Sequence, residues 1–514
     1  MKRRSFLKNT SIFTLPTVLG GLNLAAMPSS LMSAMVSDDN DKVLVLIDLN
    51  GGNDGLNTFI PLDAYDNLAN ARANVIIPQN KIIEMTNTIG LHPSMTGVKS
   101  LFDNGNLSLV QGVAYANQNR SHFRSADIWN TAVNAGEYKN TGWLGRYLDD
   151  QFPGYPDGYP NAECTDPFAI TMGRSISGTC QGINSNFSMA IIDPNNIGGL
   201  NTGIEAALPN DCYGRELGFL VETFKKTNAY ADRVVDAAEN GNSMAAYPDT
   251  NISNQLKTVA KLISGGLQTK VFVLRLGGFD THAEQVENDT TKGWHADLLE
   301  QLSGAIYAFQ EDLKMLGINE RVLGMTFSEF GRKIISNAGS GTDHGTAAPM
   351  MVFGSCVNAG VLGSNPEIGT NVGDEEGVAM QYDFKSVYGS ILMDWFEVAE
   401  DKVKSLLTDD FQYIPIINGC SAVATEALTV KWELKTFPNP FVDHFKVDLN
   451  LEKSMTLGID LFDVMGKRVK TVTRQQFDRG EHRVPIEASA LAAGIYFVRV
   501  QVGSTVKTAR MVKR

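Results

Sequence analysis

The stretch Val43-Leu44-Val45-Leu46-Ile47-Asp48-Leu49-Asn50-Gly51-Gly52-Asn53-Asp54-Gly55 decides the fold. Its first five residues are all branched and apolar, with no polar alternation. A strand with one face in water alternates, so this one is expected to be buried on both faces, as in a parallel sheet covered by helices. The run stops at a small-residue turn that carries carboxylates. In open α/β sheets ligands bind beyond the carboxyl ends of strands.

The same pattern recurs outward from this stretch. Leu107–Val110, Val271–Leu274, Val322–Phe327 and Met350–Phe353 are further apolar runs. Between them lie helical periods: Leu298, Leu302, Ile306, Phe309 and Leu313 share one face, and so do Val387, Ile391, Trp395 and Val398. The expected class is α/β, a mostly parallel sheet covered by helices, over residues 37–427. Residues 150–260 are richer in Gly, Pro, Asn and Asp and read as a long insertion or loose cap, with a helix near Gly214–Asn240. No repeat is visible.

Composition narrows the class. The chain has 514 residues, 43% hydrophobic and 20% charged, which fits a folded protein with room for a large core and an appendage. A net charge of -13 argues against nucleic acid as a partner. The five cysteines contain no C-x-x-C pair, which argues against a zinc ribbon or redox dithiol. Two of Cys164, Cys180 and Cys212 are expected to pair outside the cytoplasm, with Cys356 and Cys420 as core or unpaired residues. There is no G-x-S-x-G elbow, Walker loop or G-x-G-x-x-G fingerprint.

Both ends read as addresses. Lys2, Arg3, Arg4 and Lys8 precede an apolar stretch, Ser11–Ala26, that is broken by Pro16, Gly20 and Gly21 and is too short to span a membrane stably. Arg3-Arg4-Ser5-Phe6-Leu7-Lys8 resembles a twin-arginine export signal, the alternative being an ordinary secretory signal. Residues 1–36 are assigned to it, with cleavage near Ala34. At the other end, Lys435–Arg514 holds 14 basic and 8 acidic residues, leaving 30 against 49 for the rest. That step marks a boundary near residue 428. Alternating runs such as Phe445–Leu449, Leu457–Phe462 and Ile495–Val500, separated by turns, predict a small all-β sandwich of about seven short strands. Phe437-Pro438-Asn439-Pro440-Phe441, Phe462–Lys467, Leu491–Val498 and the basic run 507–514 resemble the C-terminal sorting domain of the type IX secretion system. The resemblance implies handling by that machinery and export to the cell surface. A carbohydrate-binding or spacer sandwich is the alternative.

The chemistry-bearing residues cluster at the ends of the apolar runs. Asn119-Arg120-Ser121-His122 follows the second run, and Gly278-Phe279-Asp280-Thr281-His282 the third. Ser328-Glu329-Phe330-Gly331-Arg332 follows the fourth, and Thr342-Asp343-His344-Gly345 precedes the fifth. Carboxylates and imidazoles gathered in one crevice suit Zn, Mn or Mg and the polarisation of a phosphate or sulfate ester. These stretches, with Asn50–Thr58, Gly90–Pro93 and Gly142–Arg146, resemble the exported bacterial family called domain of unknown function 1501, which is placed in the alkaline phosphatase and sulfatase superfamily. The resemblance implies an alkaline phosphatase-like fold. In it Asp54, Asp280, His282, Asp343 and His344 would hold a divalent metal, Ser121 would attack as nucleophile, and His122 and Glu329 would assist. Where the superfamily carries Asp-His, this chain has Glu329-Phe330, and Phe cannot ligate, so the second metal site is incomplete.

Three readings stand. The first is an exported metal-dependent hydrolase of esters on a polysaccharide, lipid or small molecule. The second is a non-catalytic surface binding protein on a lapsed hydrolase fold, and the third a structural surface protein. Each site residue also has a local alternative: Asp54 and Ser121 as helix caps, Glu329 with Arg332 as an ion pair of little consequence.

Overall fold

The computed structural model describes residues 41–194, 211–418, 434–451, 455–463, 467–502 and 505–514. The stretch expected to be an export signal and Cys420 lie outside them. The chain adopts the expected α/β class with a C-terminal β-sandwich.

The main sheet has nine strands: β1 (Val43–Asn50), β2 (Leu107–Ala114), β3 (Ala169–Met172), β4 (Ser188–Ile191), β5 (Val271–Gly277), β6 (Val322–Phe327), β7 (Ala348–Phe353), β8 (Gly360–Leu362) and β9 (Tyr382–Asp383). Their order is β8-β2-β7-β6-β1-β5-β3-β4, with β9 also on β2. All ladders are parallel except those of β7, which runs against both β2 and β6. β1 is central, between β5 and β6.

Its unbroken apolar run has the cause expected. Val43, Val45, Ile47 and Leu49 enter one core, with α1 (Thr96–Asp103), α5 (Asn251–Ser264) and α6 (Trp294–Met315). Leu44 and Leu46 enter the other, with α2 (His122–Thr131), α3 (Trp143–Gln151) and α7 (Phe384–Asp394). A period of two thus feeds two cores, one on each face.

Within residues 150–260, expected as an insertion or cap, two short strands join the sheet and the helix expected near Gly214–Asn240 is present. β3 and β4 add in parallel beyond β5, and α4 (Cys212–Asn240) and α5 follow. Strands of four residues between polar turns are too short to show a period. Cys356 lies in the core as expected, but the cysteine pairing differs from the expectation. Cys164 and Cys180 are thiols, and Cys356 is disulfide-bonded. Cys356 sits where Val357 bridges Ile417 and its own carbonyl accepts from the Asn418 amide, a pairing of remote segments that spacing does not reveal.

In the tail, a three-stranded and a four-stranded antiparallel sheet share one core. Phe445, Val447, Leu449 and Leu451 face inward from His444–Leu451, opposite Leu457, Ile459 and Leu461. No helix among the described residues is long and apolar enough to cross a membrane.

Candidate metal centre

Strand direction brings the five loops to one edge. β1, β5 and β6 are mutually parallel, so the segments after Asn50, Gly277 and Phe327 leave the same side. β7 is antiparallel to β6, so Asp343 and His344, which precede it, reach that side from the opposite direction. β2 is antiparallel to β7 and therefore runs with β6, delivering Asn119–His122.

Asp280 is the hub. His344 Nε2 lies 3.2 Å and His282 Nε2 3.3 Å from its Oδ1, and His122 Nε2 lies 3.3 Å from its Oδ2. His122, Asp280 and His344 each offer a ligand atom within 4.8 Å of the others. Behind the three imidazoles stand acceptors. His122 Nδ1 meets Glu329 Oε1 at 2.8 Å, His282 Nδ1 meets Asp343 Oδ1 at 2.8 Å, and His344 Nδ1 meets the Arg120 carbonyl at 2.8 Å. A carbonyl or carboxylate oxygen only accepts, so Nδ1 carries the proton in each ring. In the neutral rings all three Nε2 lone pairs are then left facing Asp280.

That arrangement fits a divalent cation. Ligating histidines characteristically give their second N–H to a carboxylate or carbonyl, which fixes tautomer and orientation. His122 Nε2 is a buried nitrogen that, among the described residues, makes no hydrogen bond, although Asp280 Oδ2 lies 3.3 Å away. His282 Nε2 and His344 Nε2 face each other at 2.9 Å, a separation that two lone pairs do not tolerate without a proton or a cation between them. Three imidazoles and a carboxylate suit Zn or Mn better than Mg, which prefers oxygen ligands.

Arg332 holds the loops together. It is fully buried, and its guanidinium donates to the carbonyls of Gly51, Gly52, Phe279 and Thr342 and to Asp280 Oδ1 at 2.7 Å. Its carboxylate partner is therefore Asp280 rather than Glu329, and it ties the loops after β1 and β5 to the one before β7. Burial works to raise the Asp280 carboxyl, but the Arg332 bond and charge outweigh it and hold the group at about 2. Asp343 is lowered in the same sense, burial being overcome by bonds from His282 and Asn337. Burial pushes His344 down, towards the neutral form a ligand needs. Gly51 has φ +123°, and a Cβ there would lie 2.3 Å from the Asp280 amide nitrogen, so only glycine lets the loop after β1 pass this close.

Glu329 is buried, and besides His122 its Oε1 accepts from the Gly51 amide at 2.9 Å. Its neighbour Phe330 is also buried and packs on the rings of His122 and His344, with centroids 4.9 and 4.6 Å away. In place of a second ligand the chain thus has a ring that braces two of the first set.

Asp54 is not brought to the cluster. Both its oxygens accept from Arg72 Nη1, at 2.8 and 2.9 Å, and its Oδ2 also accepts from Gln285 at 2.7 Å. It further accepts from the Leu56 amide as the cap of a single helical turn. Burial acts to raise its carboxyl, but the charges and bonds of Arg72 and its neighbours lower it overall. The side chain is fully engaged in a buried structural pair. Ser121 stands at the N-cap of α2, directly before His122, and its hydroxyl makes no capping bond. Sequence reasoning missed the reach of Arg332, the bracing by Phe330 and the pairing of Arg72 with Asp54. An arginine beside three glycine-rich loops is a weak signal for the first, and nothing local marks the other two.

Comparisons place segments of this chain. Residues 226–387 match the family model described as "Protein of unknown function (DUF1501)", and residues 435–514 that of "Secretion system C-terminal sorting domain". The first match is narrower than the stretch over which the motifs recur. The second is a match to a sorting domain, which implies handling of the chain by a secretion system. No curated protein matches the sequence. Solved structures similar to it include a protein in the alkaline phosphatase superfamily from Vibrio parahaemolyticus, at 9% identity and TM-score 0.32, covering 92% of this chain and 82% of that one. A sulfatase from Pseudoalteromonas sp. aligns at 9% identity and TM-score 0.30, covering 89% and 85%. A phosphonate monoester hydrolase from Silicibacter pomeroyi aligns at 9% identity and TM-score 0.32, covering 92% and 89%. At these values the likeness carries no argument about activity, which is read from the side chains.

Proposed function

We propose that this protein is an exported, surface-associated metal-dependent hydrolase of phosphate or sulfate esters. One observation carries the reading: three imidazoles, each anchored at Nδ1 by an acceptor, turn Nε2 towards one ionised carboxylate. His122, Asp280, His282 and His344 would hold one divalent cation, which when bound supplies Lewis-acid stabilisation of charge developing on an ester's oxygens. Asp343 and Glu329 fix the tautomers of His282 and His122. Arg332 keeps Asp280 ionised. Ser121 would attack the phosphorus or sulfur, forming its own ester as the alcohol leaves, and water would then release the anion. Ser121 is the N-cap of α2, and the free first-turn amides of such a helix end would favour the anionic oxygens of the ester. The substrate would be an ester on a polysaccharide, lipid or small molecule. Export would begin with the twin-arginine machinery, pass through the periplasm, and end at the surface by the type IX route.

Phe330 in the place of a ligand favours a second reading, a binding protein without turnover. The test is metal analysis of the purified protein with a phosphatase and sulfatase screen. The hydrolase reading expects bound metal, turnover, and loss of both in Asp280→Ala. Ligand binding without turnover, unchanged in Ser121→Ala, would instead establish the second reading.

A further inference from the structure

Beside the cluster lies an open groove of about 900 Å³, lined by Asp280, Glu284, Glu287, Trp294, Asp297 and Ser340 among others. Asp280 belongs to both, so the groove borders the metal centre. Trp294 is 59% exposed, although burying its ring would stabilise the fold. The ring is nevertheless held in place. Its indole N–H donates to the Gly278 carbonyl at 2.7 Å, two residues before Asp280. Gly278 has φ +107°, and a Cβ there would come within 2.9 Å of the indole nitrogen, so glycine is what allows the ring to lie on this backbone. Another part of the lining is fixed as well. Glu284 and Ser340 both have positive φ, and they are joined by bonds from the Glu284 amide to the Gly339 carbonyl and from the Gln285 amide to the Ser340 carbonyl. The side chains of Glu284, Glu287 and Asp297 are exposed, and no described residue lining the groove is Lys or Arg.

We propose that this groove binds an alkylammonium group, with Trp294 presenting its face to the cation, and that the ester cleaved at the centre is one whose alcohol carries that ammonium. A fixed, wet indole is the best aromatic partner for such a cation. The surrounding carboxylates complement its charge and repel a polysulfated glycan. A neutral sugar would also stack on the ring but leaves the charge unanswered. The ester half of the proposal rests on the hydrolase reading above; the ammonium half does not.

The test is calorimetric titration of the metal-loaded protein with choline and, separately, glucose, followed by kinetics with phosphocholine against p-nitrophenyl phosphate. Choline is expected to bind, more weakly at high salt. Its affinity should fall about tenfold in Trp294→Leu and less in Trp294→Phe, which keeps an aromatic face. Phosphocholine should be preferred, with the preference reduced in Trp294→Leu. Glucose binding where choline does not, or choline binding indifferent to Trp294→Leu, overturns the proposal. If p-nitrophenyl phosphate is hydrolysed and choline fails to bind, this inference falls while the hydrolase reading stands. If choline binds at Trp294 and no ester is cleaved, the hydrolase reading falls and the ammonium site stands.

Discussion

The proton on each Nδ1 is what turns three ordinary histidines towards one point. The acceptors behind the rings should therefore matter nearly as much as the ligands. Glu329→Gln replaces a carboxylate behind His122 with an amide. It is expected to weaken metal affinity about 10- to 100-fold with the ligands intact, measured by competition with a chelator. His122→Ala, which removes a ligand outright, should cost more. Asp54 gives the contrasting case. With Arg72 and Asp54 both fully buried, Asp54→Ala leaves a guanidinium without its partner and is expected to cost roughly 3–5 kcal/mol in thermal or urea unfolding. Its metal stoichiometry should stay that of the parent protein. A change in stoichiometry with little loss of stability would restore Asp54 as a ligand. Sequence alone cannot separate these outcomes, because an aspartate in a Gly-rich turn reads the same whether it faces a crevice or an arginine 18 residues away.

Loops after parallel strands supply most of the site, and that much is legible from the unbroken apolar runs. Asp280, His282, Asp343, His344, His122 and Glu329 all sit where a run ends or begins, and direction in the sheet does the gathering. What spacing does not show is the stitching: Arg332 reaches backbone carbonyls some 280 positions away, and such contacts leave no period. The two short strands at 169–172 and 188–191 were hidden for a related reason, since four residues cannot express alternation. The stitching makes a prediction of its own. Gly51→Ala drives a Cβ towards the Asp280 amide from a backbone with positive φ, so it should destabilise by roughly 1–3 kcal/mol. It should also lower metal affinity, because the carboxylate moves with its backbone. Stability and affinity both unchanged would mean that the loops are not held as described.

At the scale of the whole molecule, acid sensitivity should be marked. Burial pushes His295 down to about 4 and His92 to about 3, so both stay neutral in the fold while the unfolded chain takes up protons below about 6.5. The unfolded state then binds more protons, and stability is lost as pH falls from about 6.5 towards 4. Unfolding midpoints from pH 7.5 down to 4.5 should show this, with a shallower slope in His295→Asn; a flat profile would refute it. Deleting residues 435–514, which have their own core, should abolish appearance of the protein at the cell surface and leave metal binding intact. The most direct measurement of the central claim is metal content after equilibrium dialysis of the intact protein against zinc or manganese. One ion per chain is predicted, absent from the double variant His282→Ala/His344→Ala although that variant unfolds, in chelator, at the parent's temperature. An intact protein that retains no ion, or a double variant that keeps one, would contradict the account.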